Sequence, residues 1–378
     1  MKTKDVVFAY LDNIGVPSEV SFLNRFYAGF EELEPYWIGW HLDRDADALP
    51  QPKVMLGRQN PVLRGLDRVL FKTMGTLPPR PHLWHFRPRL IHAHFGRGGA
   101  LALPLARAMK VPLFVTFHGG DATKEKHYRR GPIATIYQRR MVALQEYAAG
   151  FHCVSDYIRD TLLRRGFPPE KLFVVRTGVE PSSGEPALLP FSEPYVLFVG
   201  RLVEKKGVTH LIEAMARLQE RGKSIPLVVI GDGPLAESLR RQADRLTQVR
   251  FLGWQPNAEV RRWMRGAMTV CVPSLMAGTG DSEGLGHVIM EAMEAGAPVV
   301  ASRHGGIGEV VEDGATGLLV PAGDAGAIAD ALETLASNPE LRRTYGLAAR
   351  AAAQQKFDAA TQSRALEARF LSMLKPVP

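Results

Sequence analysis

The stretch 195–235, YVLFVGRLVEKKGVTHLIEAMARLQERGKSIPLVVIGDGPL, decides the fold. It opens on a β-rich apolar run, Tyr195–Gly200, and closes on a second, Pro226–Ile230. Between them Val208, Leu211, Ile212, Met215 and Leu218 recur at helical spacing, so Val208–Arg221 reads as an amphipathic helix. Strand, crossover helix and strand make a parallel pair. The grammar continues downstream with helix Leu235–Arg245, strand Val249–Leu252, short helix Ala258–Arg265 and strand Met268–Val272. A loop and helix, EGLGHVIMEAMEAG, then lead to strand Pro298–Ala301. Such alternation is expected to give a doubly wound α/β domain, a parallel sheet with helices on both faces.

Upstream the same pattern recurs with more interruptions. Asp5–Tyr10, Leu90–His94, Leu113–Phe117, Gly150–Val154 and Phe173–Val175 read as strands, and Ser18–Gly29, Gly98–Met109, Ile133–Tyr147 and Ser155–Arg165 as helices. The proline-rich region Asp43–Arg89 reads as irregular. A chain of 378 residues is too long for one ordinary core. The Pro-, Ser- and Gly-rich run Glu180–Pro194 marks the boundary, giving domains 1–185 and 186–358. The last helix, about 359–374 in a tail running to residue 378, follows the second sheet and is expected to pack back on the first domain.

Composition narrows the class. The chain is 46% hydrophobic and 23% charged, as a globular protein is, and no apolar run reaches the roughly 18 residues of a membrane span. The apolar run Val6–Tyr10 is too short for a signal peptide and reads as a first buried strand. Two distant cysteines in apolar segments, Cys153 and Cys271, suggest a reduced, cytoplasmic protein without disulfide or zinc. The net charge of +8 lies wholly in residues 1–185, which hold 26 Lys and Arg against 18 Asp and Glu. That asymmetry suits an anionic membrane leaflet or a lipid-diphosphate acceptor. Nucleic acid is not expected, because the basic residues are not interleaved with aromatics as in a binding module.

The chemistry-bearing residues should sit just after strands, where doubly wound domains bind ligands. Glu283 lies in the loop Met276–Leu285, and Glu291 lies in a helix opening near Gly286. A helix start after a glycine-rich loop offers free backbone N–H groups and a positive dipole end, which suit a diphosphate. Eight positions along a helix separate two carboxylates by up to roughly 12 Å, too far for a paired acid and base. They suit two grips at opposite ends of one ligand.

In order and spacing, FVGRLVEKKGVTHLIEAM, VVIGDGPL, VRFLGW, DSEGLGHVIMEAMEAGAPVVASRHGGIGEVV and DGATGLLV resemble the retaining glycosyltransferase family four. HAHFG at His92–Gly96, VTFHGGD at Val115–Asp121, VSDYIRDTLLRRG and VVRTGV extend the resemblance into the first half. PSEVSFLNR near the N-terminus resembles the start of the colanic-acid and amylovoran polysaccharide subgroup. The resemblance implies the GT-B fold, two Rossmann-like domains facing across a cleft. It implies a nucleoside-diphosphate sugar donor, held mainly by the C-terminal domain, and a hydroxyl acceptor on a glycan or glycolipid. Arg201 and Lys206 would meet the donor diphosphate and its growing negative charge, and no metal or other cofactor is expected. Glu283, with the backbone of Gly284, Leu285 and Gly286, would hold the sugar end, and Glu291 the ribose. The Gly231–Leu235 turn would lie near the base. His118, after strand Leu113–Phe117, would contact the sugar from the opposite domain, while His92 and His94 on a buried strand read as structural. Gly15 would let the first loop approach the diphosphate or acceptor. The sequence departs from the family at Asn13–Pro17, where a Gly-Gly pair is usual, and at Gly286 and Gly308, where proline is common.

Two further features bear on metal and membrane contact. Asp43-Arg44-Asp45 and Asp45-Ala46-Asp47 are formally metal-binding DxD patterns, but they lie in a proline-bounded loop and read as a solvated acidic turn. Pro61–Met74 is amphipathic, with Val62, Leu66, Val69 and Leu70 on one face and Arg64, Arg68 and Lys72 on the other. It suits a membrane-surface helix or a core-facing one, and the core-facing reading is simpler because one short helix binds lipid weakly. Arg129, Arg130, Arg139 and Arg140 add basicity in the same domain. A nucleotide-sugar epimerase or hydrolase, a sugar phosphorylase, and a non-catalytic glycan-binding subunit are the rival functions. The expected location is the cytoplasm, at the inner face of the membrane.

Overall fold

The computed structural model describes residues 4–77, 81–124, 132–181 and 194–374. The chain divides into two compact units, one taking Met1–Gly178 with Ala359–Pro378 and the other Val179–Asp358. Most of the Glu180–Pro194 run, together with Arg129 and Arg130, lies outside the described residues.

The first unit contains β1 (Asp5–Tyr10), β2 (Asn13–Ile14), β3 (Leu33–Gly39), β4 (His41–Leu42) and β5 (Lys53–Met55). It continues with β6 (Leu90–His94), β7 (Leu113–Phe117), β8 (Gly150–Cys153) and β9 (Leu172–Val174). Seven of these form one parallel sheet in the order β5-β3-β1-β6-β7-β8-β9, and β2 pairs with β4. β1, β6 and β7 have the expected bounds, because their apolar runs are buried on both faces.

Three expectations fail here. β3 was not foreseen, since Glu34 and Pro35 interrupt its apolar run. Beside the helix Pro61–Met74, which the sequence foresaw with these bounds, the supposedly irregular Asp43–Arg89 contains β5 and the helix Pro81–His85. Pro61 starts a helix rather than breaking one: it sits in the first turn, the Asn60 side chain accepts from Val62 and Leu63 N–H, and Gly75 closes the far end at φ 76°. The helix expected over Ser18–Gly29 stops at Leu23 and tightens into a 3-10 turn, Asn24–Phe26. Gly29 then passes so close to the last helix that a Cβ there would stand 2.3 Å from the Ala360 carbonyl oxygen.

That contact comes from the last helix, Ala359–Met373, which packs on the first unit. Ser363 Oγ donates to the Phe26 carbonyl at 2.8 Å and accepts from Gly29 N–H at 2.9 Å. The buried Glu367 carboxylate accepts from the N–H groups of Glu31, Glu32 and Leu33 at 2.7–2.9 Å. A charged acceptor shared by three backbone donors fixes the approach to β3.

The second unit contains β10 (Val196–Val199), β11 (Leu227–Ile230), β12 (Val249–Gly253), β13 (Thr269–Val272), β14 (Val299–Ser302) and β15 (Gly317–Val320). All are parallel, in the order β12-β11-β10-β13-β14-β15. Winding runs outward both ways from β10, so the topological switch point lies between β10 and β13. The helix Val208–Glu220 buries Val208, Leu211, Ile212, Met215 and Leu218, the stripe its spacing announced. Each such side chain stabilises by roughly 1.5–3 kcal/mol. Val179 N–H donates to the Phe357 carbonyl at 2.7 Å, holding the two ends of the unit together. Among the described residues no helix is long and apolar enough to cross a membrane.

Candidate active site

Two loops meet at the switch point of the second unit. The loop after β10 carries Arg201 and a 3-10 turn, Glu204–Lys206; the loop after β13 carries Asp281 and Glu283. Lys206 Nζ donates to Glu283 Oε2 at 2.7 Å, Lys205 Nζ to Asp281 Oδ1 at 3.1 Å, and Gly278 N–H to Glu204 Oε1 at 3.0 Å. Leu275 N–H adds a 2.8 Å bond to the Lys205 carbonyl. The Lys206 and Glu283 side chains are only 16% and 13% exposed, so their attraction is lightly screened. Burial pushes the Glu283 carboxyl up, but Lys206 and Lys205 outweigh it and hold the carboxyl at about 2. Arg201 is exposed and, among the described residues, pairs with no carboxylate. The site therefore contains one neutralised lysine–glutamate pair and one available guanidinium.

Backbone packing explains the glycines. Gly207 closes the 3-10 turn at φ 66°, and a Cβ there would stand 1.9 Å from the Pro273 carbonyl oxygen. Gly231 lies equally close, 1.9 Å on the same measure, to the Gly200 carbonyl oxygen. Leu202 N–H donates to the Asp232 carbonyl at 2.9 Å and Leu235 N–H to the Leu202 carbonyl at 3.1 Å. The Gly231–Leu235 turn is thus stitched to the Arg201 loop. Gly284, Leu285 and Gly286 are buried behind Glu283. Gly286, at φ 89°, precedes the helix His287–Glu294 and brings no side chain to cap it. Glu291 lies half-buried in the second turn of that helix. Gly306 N–H meets the Glu283 carbonyl at 3.3 Å, and Ser282 Oγ lies 2.8 Å from His304 Nε2. His304 is pushed down by burial against the pull of Glu283. Gly308 is exposed, with nothing near its missing side chain.

His118 and Gly15 belong to the first unit. The half-buried Asp121 carboxylate accepts from the N–H groups of Gly96, His118 and Gly119 at 2.8–3.0 Å, which fixes the turn after β7. His118 turns inward, its Nε2 3.2 Å from His94 Nδ1. Gly15, at φ 88°, has a packing reason for its missing Cβ, which would fall 2.2 Å from Ala46 N. Asp45 N–H donates to the Gly15 carbonyl at 3.2 Å, so the Asp43–Asp47 turn packs on the first loop, with Arg44 and Asp47 exposed to solvent as expected and Asp43 and Asp45 half-buried. Beside it Glu19 is pushed up to about 7 by burial and by Asp43.

The helix Pro61–Met74 reverses the simpler expectation. Its polar face turns inward: Arg68 and Lys72 both donate to Asp12 Oδ2, at 2.6 and 2.7 Å, and Asp67 pairs with Arg58 at 2.8 Å. Phe71 alone carries its apolar burial inward. Val62, Leu66 and Val69 are 80%, 51% and 57% exposed. Sequence reading also passed over Tyr27, Thr116 and His152, which join His92 and His94 in one buried hydrogen-bonded cluster. The period-two polar positions of LIHAH (90–94), with Thr116 and His152 on the neighbouring strands, were the signal.

Comparison with known proteins places the chain in a family. Residues 185–352 match the family model described as glycosyl transferases group 1, and residues 44–183 match glycosyltransferase family 4. The amylovoran biosynthesis glycosyltransferase AmsK of Erwinia amylovora is 34% identical over 285 residues, 72% of this chain and 67% of that one. The putative colanic acid biosynthesis glycosyltransferase WcaL of Escherichia coli K12 is 33% identical, over 65% of this chain but only 61% of its own length. A phosphatidyl-myo-inositol mannosyltransferase of Mycobacterium leprae is 32% identical, over 71% and 69%. Among solved structures, Anabaena Alr3699/HepE in complex with UDP and glucose superposes with a TM-score of 0.79 at 22% identity, covering 98% of this chain and all of that one. Sucrose-phosphate synthase from Thermosynechococcus elongatus gives 0.74 at 21%, covering 98% and 99%.

Proposed function

Because the chain belongs to the group 1, family 4 glycosyltransferases, we propose that it is a retaining, metal-independent enzyme of cell-surface polysaccharide synthesis. It moves a hexose from a nucleoside-diphosphate sugar to a hydroxyl of a lipid-linked or polysaccharide-repeat acceptor. The observation that carries this reading is the Lys206–Glu283 pair at the β10–β13 switch point, with Arg201 exposed beside it. Arg201 and Lys206 supply positive charge to the donor diphosphate, and the uncapped helix start after Gly286 supplies N–H groups and a dipole. Since Glu283 neutralises Lys206 at rest, Arg201 and the helix start supply the net positive charge that stabilises the leaving diphosphate without a metal. Glu283 holds Lys206 in place and charged while its free oxygen accepts from a sugar hydroxyl; Glu291 accepts from the ribose. His118 accepts a hydrogen bond from a hydroxyl of the donor sugar.

In the reaction the bond from the sugar's anomeric carbon to the diphosphate oxygen breaks. A bond from that carbon to the acceptor oxygen forms on the same face, and the acceptor proton passes to the departing diphosphate. Relatives named for amylovoran and colanic acid synthesis support the acceptor class. The exposed Val62–Leu66–Val69 stripe supports work at a membrane, the enzyme docking from the cytoplasm on an anionic leaflet. The attraction rests on apolar area more than local charge, since Arg68 and Lys72 are spent on Asp12.

A product assay with a panel of nucleotide sugars and lipid-linked acceptors tests the reading. Transfer with retained anomeric configuration is expected, reduced at least tenfold in Glu283→Ala, Arg201→Ala and Lys206→Ala. Isomerised or hydrolysed donor with no glycosylated acceptor would replace it with an epimerase or hydrolase.

A further inference from the structure

A buried hydrogen-bonded chain crosses the sheet of the first unit and ends on His118. His94 stands opposite Thr116 in the β6–β7 register, and Thr116 stands opposite His152 in the β7–β8 register. His152 Nε2 lies 2.7 Å from the Val175 carbonyl, and His152 Nδ1 lies 2.8 Å from Thr116 Oγ1. Thr116 Oγ1 is 2.6 Å from His92 Nε2. His92 Nδ1 is 2.7 Å from the Tyr27 hydroxyl, which is 2.8 Å from His94 Nε2. His94 Nδ1 then meets His118 Nε2 at 3.2 Å. Phe26 packs edge-on against His94 and His118, and Phe370 of the last helix against His92, closing the chain from water.

One end of this chain has a fixed polarity, because a carbonyl oxygen only accepts. His152 must therefore carry its hydrogen on Nε2, which leaves Nδ1 to accept from the Thr116 hydroxyl. Thr116 has then spent its hydrogen and accepts from His92 Nε2–H. His92 Nδ1 accepts from the Tyr27 hydroxyl, Tyr27 accepts from His94 Nε2–H, and His94 Nδ1 accepts from His118. This polarity requires neutral rings. Burial pushes His152 down to about 4 and holds His92 and His94 well below the usual histidine range, while it raises Tyr27.

We propose that the chain from the Val175 carbonyl through His152, Thr116, His92, Tyr27 and His94 fixes His118 as the Nε2–H tautomer, with Nδ1 the accepting nitrogen. Thr116, Tyr27 and the three buried histidines are positioning residues: they act on the substrate only through His118. A histidine free to exchange tautomers would present a donor and an acceptor in turn to the same hydroxyl. The locked ring offers only Nδ1, a buried acceptor, so toward a sugar hydroxyl it can take a hydrogen and give none. This catalytic consequence rests on the proposed contact between His118 and the donor sugar; the tautomer does not.

The test uses the full chain labelled with 15N-histidine, with long-range 15N–1H spectra reading which nitrogen of each ring carries hydrogen. His118→Gln assigns the His118 signals by their loss. In the wild type His118, His94, His92 and His152 are expected to carry hydrogen on Nε2. Thr116→Val and Tyr27→Phe cut the chain at two points with little change of shape, and either should turn His118 into a mixture of tautomers. Turnover should fall by about 10- to 100-fold, the range seen when metal-bound histidines lose the hydrogen-bond partner of their other nitrogen, with the donor KM little changed. Hydrogen on His118 Nδ1 in the wild type, or an unchanged tautomer in both cut variants, overturns the proposal. Wild-type turnover in His118→Gln would overturn the assignment of His118 to the donor instead, so the two failures are told apart.

Discussion

Lys206 Nζ and Glu283 Oε2 stand 2.7 Å apart and tie the loop after β10 to the loop after β13. The pair is mostly buried, so removing one partner strands the other. Lys206→Met is expected to cost about 3 kcal/mol at pH 7, the lower end for a broken buried pair because both groups keep some solvent. Glu283 titrates at about 2 in the fold against an ordinary 4.5, so its stabilisation is complete above pH 4.5 and is lost as pH falls towards 2. Urea unfolding from pH 7 to pH 2.5 should therefore show the wild type converging on Lys206→Met. A constant gap across that range contradicts the ion pair as drawn.

Glu19 has the opposite sign. Burial and Asp43 raise it to about 7, so the fold binds its proton more tightly than the unfolded chain does. Ionising it costs stability, and that cost grows as pH rises from 4.5 to 7. Glu19→Gln should remove this slope and raise the thermal midpoint at pH 8 while leaving it nearly unchanged at pH 4.5. An equal shift at both pH values would argue for packing instead of charge.

Gly207 tests the backbone beneath the lysines. A Cβ at this position meets the Pro273 carbonyl at 1.9 Å, whereas Gly222, at a similar φ of 73°, has nothing within 4 Å. Gly222→Ala should cost only the left-handed backbone penalty, about 1–2 kcal/mol, and retain activity. Gly207→Ala should cost visibly more and lose activity, since the 3-10 turn must shift Lys206. Equal costs by urea unfolding would show that the close approach is not rigid.

The outward stripe of Pro61–Met74 gives a separable test of membrane contact. Val62 and Leu66 are exposed, so Val62→Glu with Leu66→Glu should change unfolding free energy by no more than about 0.5 kcal/mol per site. Flotation with phosphatidylglycerol vesicles should carry the wild type and leave the double variant behind. Equal flotation of both would remove this helix from the account.

The second unit was legible because its strands are short apolar runs and its helices keep a clean stripe; Val208 to Leu218 point where their spacing says. The first unit was harder for identifiable reasons. Glu34 and Pro35 hide β3, and the helix Pro61–Met74 has a stripe whose direction depends on Asp12, nearly fifty residues earlier in the chain. Periodicity fixes a face but not the side of the molecule it meets. Glu283, Lys206 and Arg201 could be named from motif order, but their pairing could not. That Lys206 is held by Glu283 while Arg201 stands open is a property of two loops brought together by strand order.

The most direct measurement is calorimetric titration of the full chain with UDP, GDP, ADP and their sugars, in EDTA, for the wild type and Arg201→Ala. Arg201 is exposed, so its loss should leave unfolding stability within about 0.5 kcal/mol. One nucleotide class should bind the wild type without metal, and Arg201→Ala should weaken it at least tenfold, about 1.4 kcal/mol. Binding that ignores Arg201, or no binding by any nucleotide sugar, would contradict the donor site at the β10–β13 switch point.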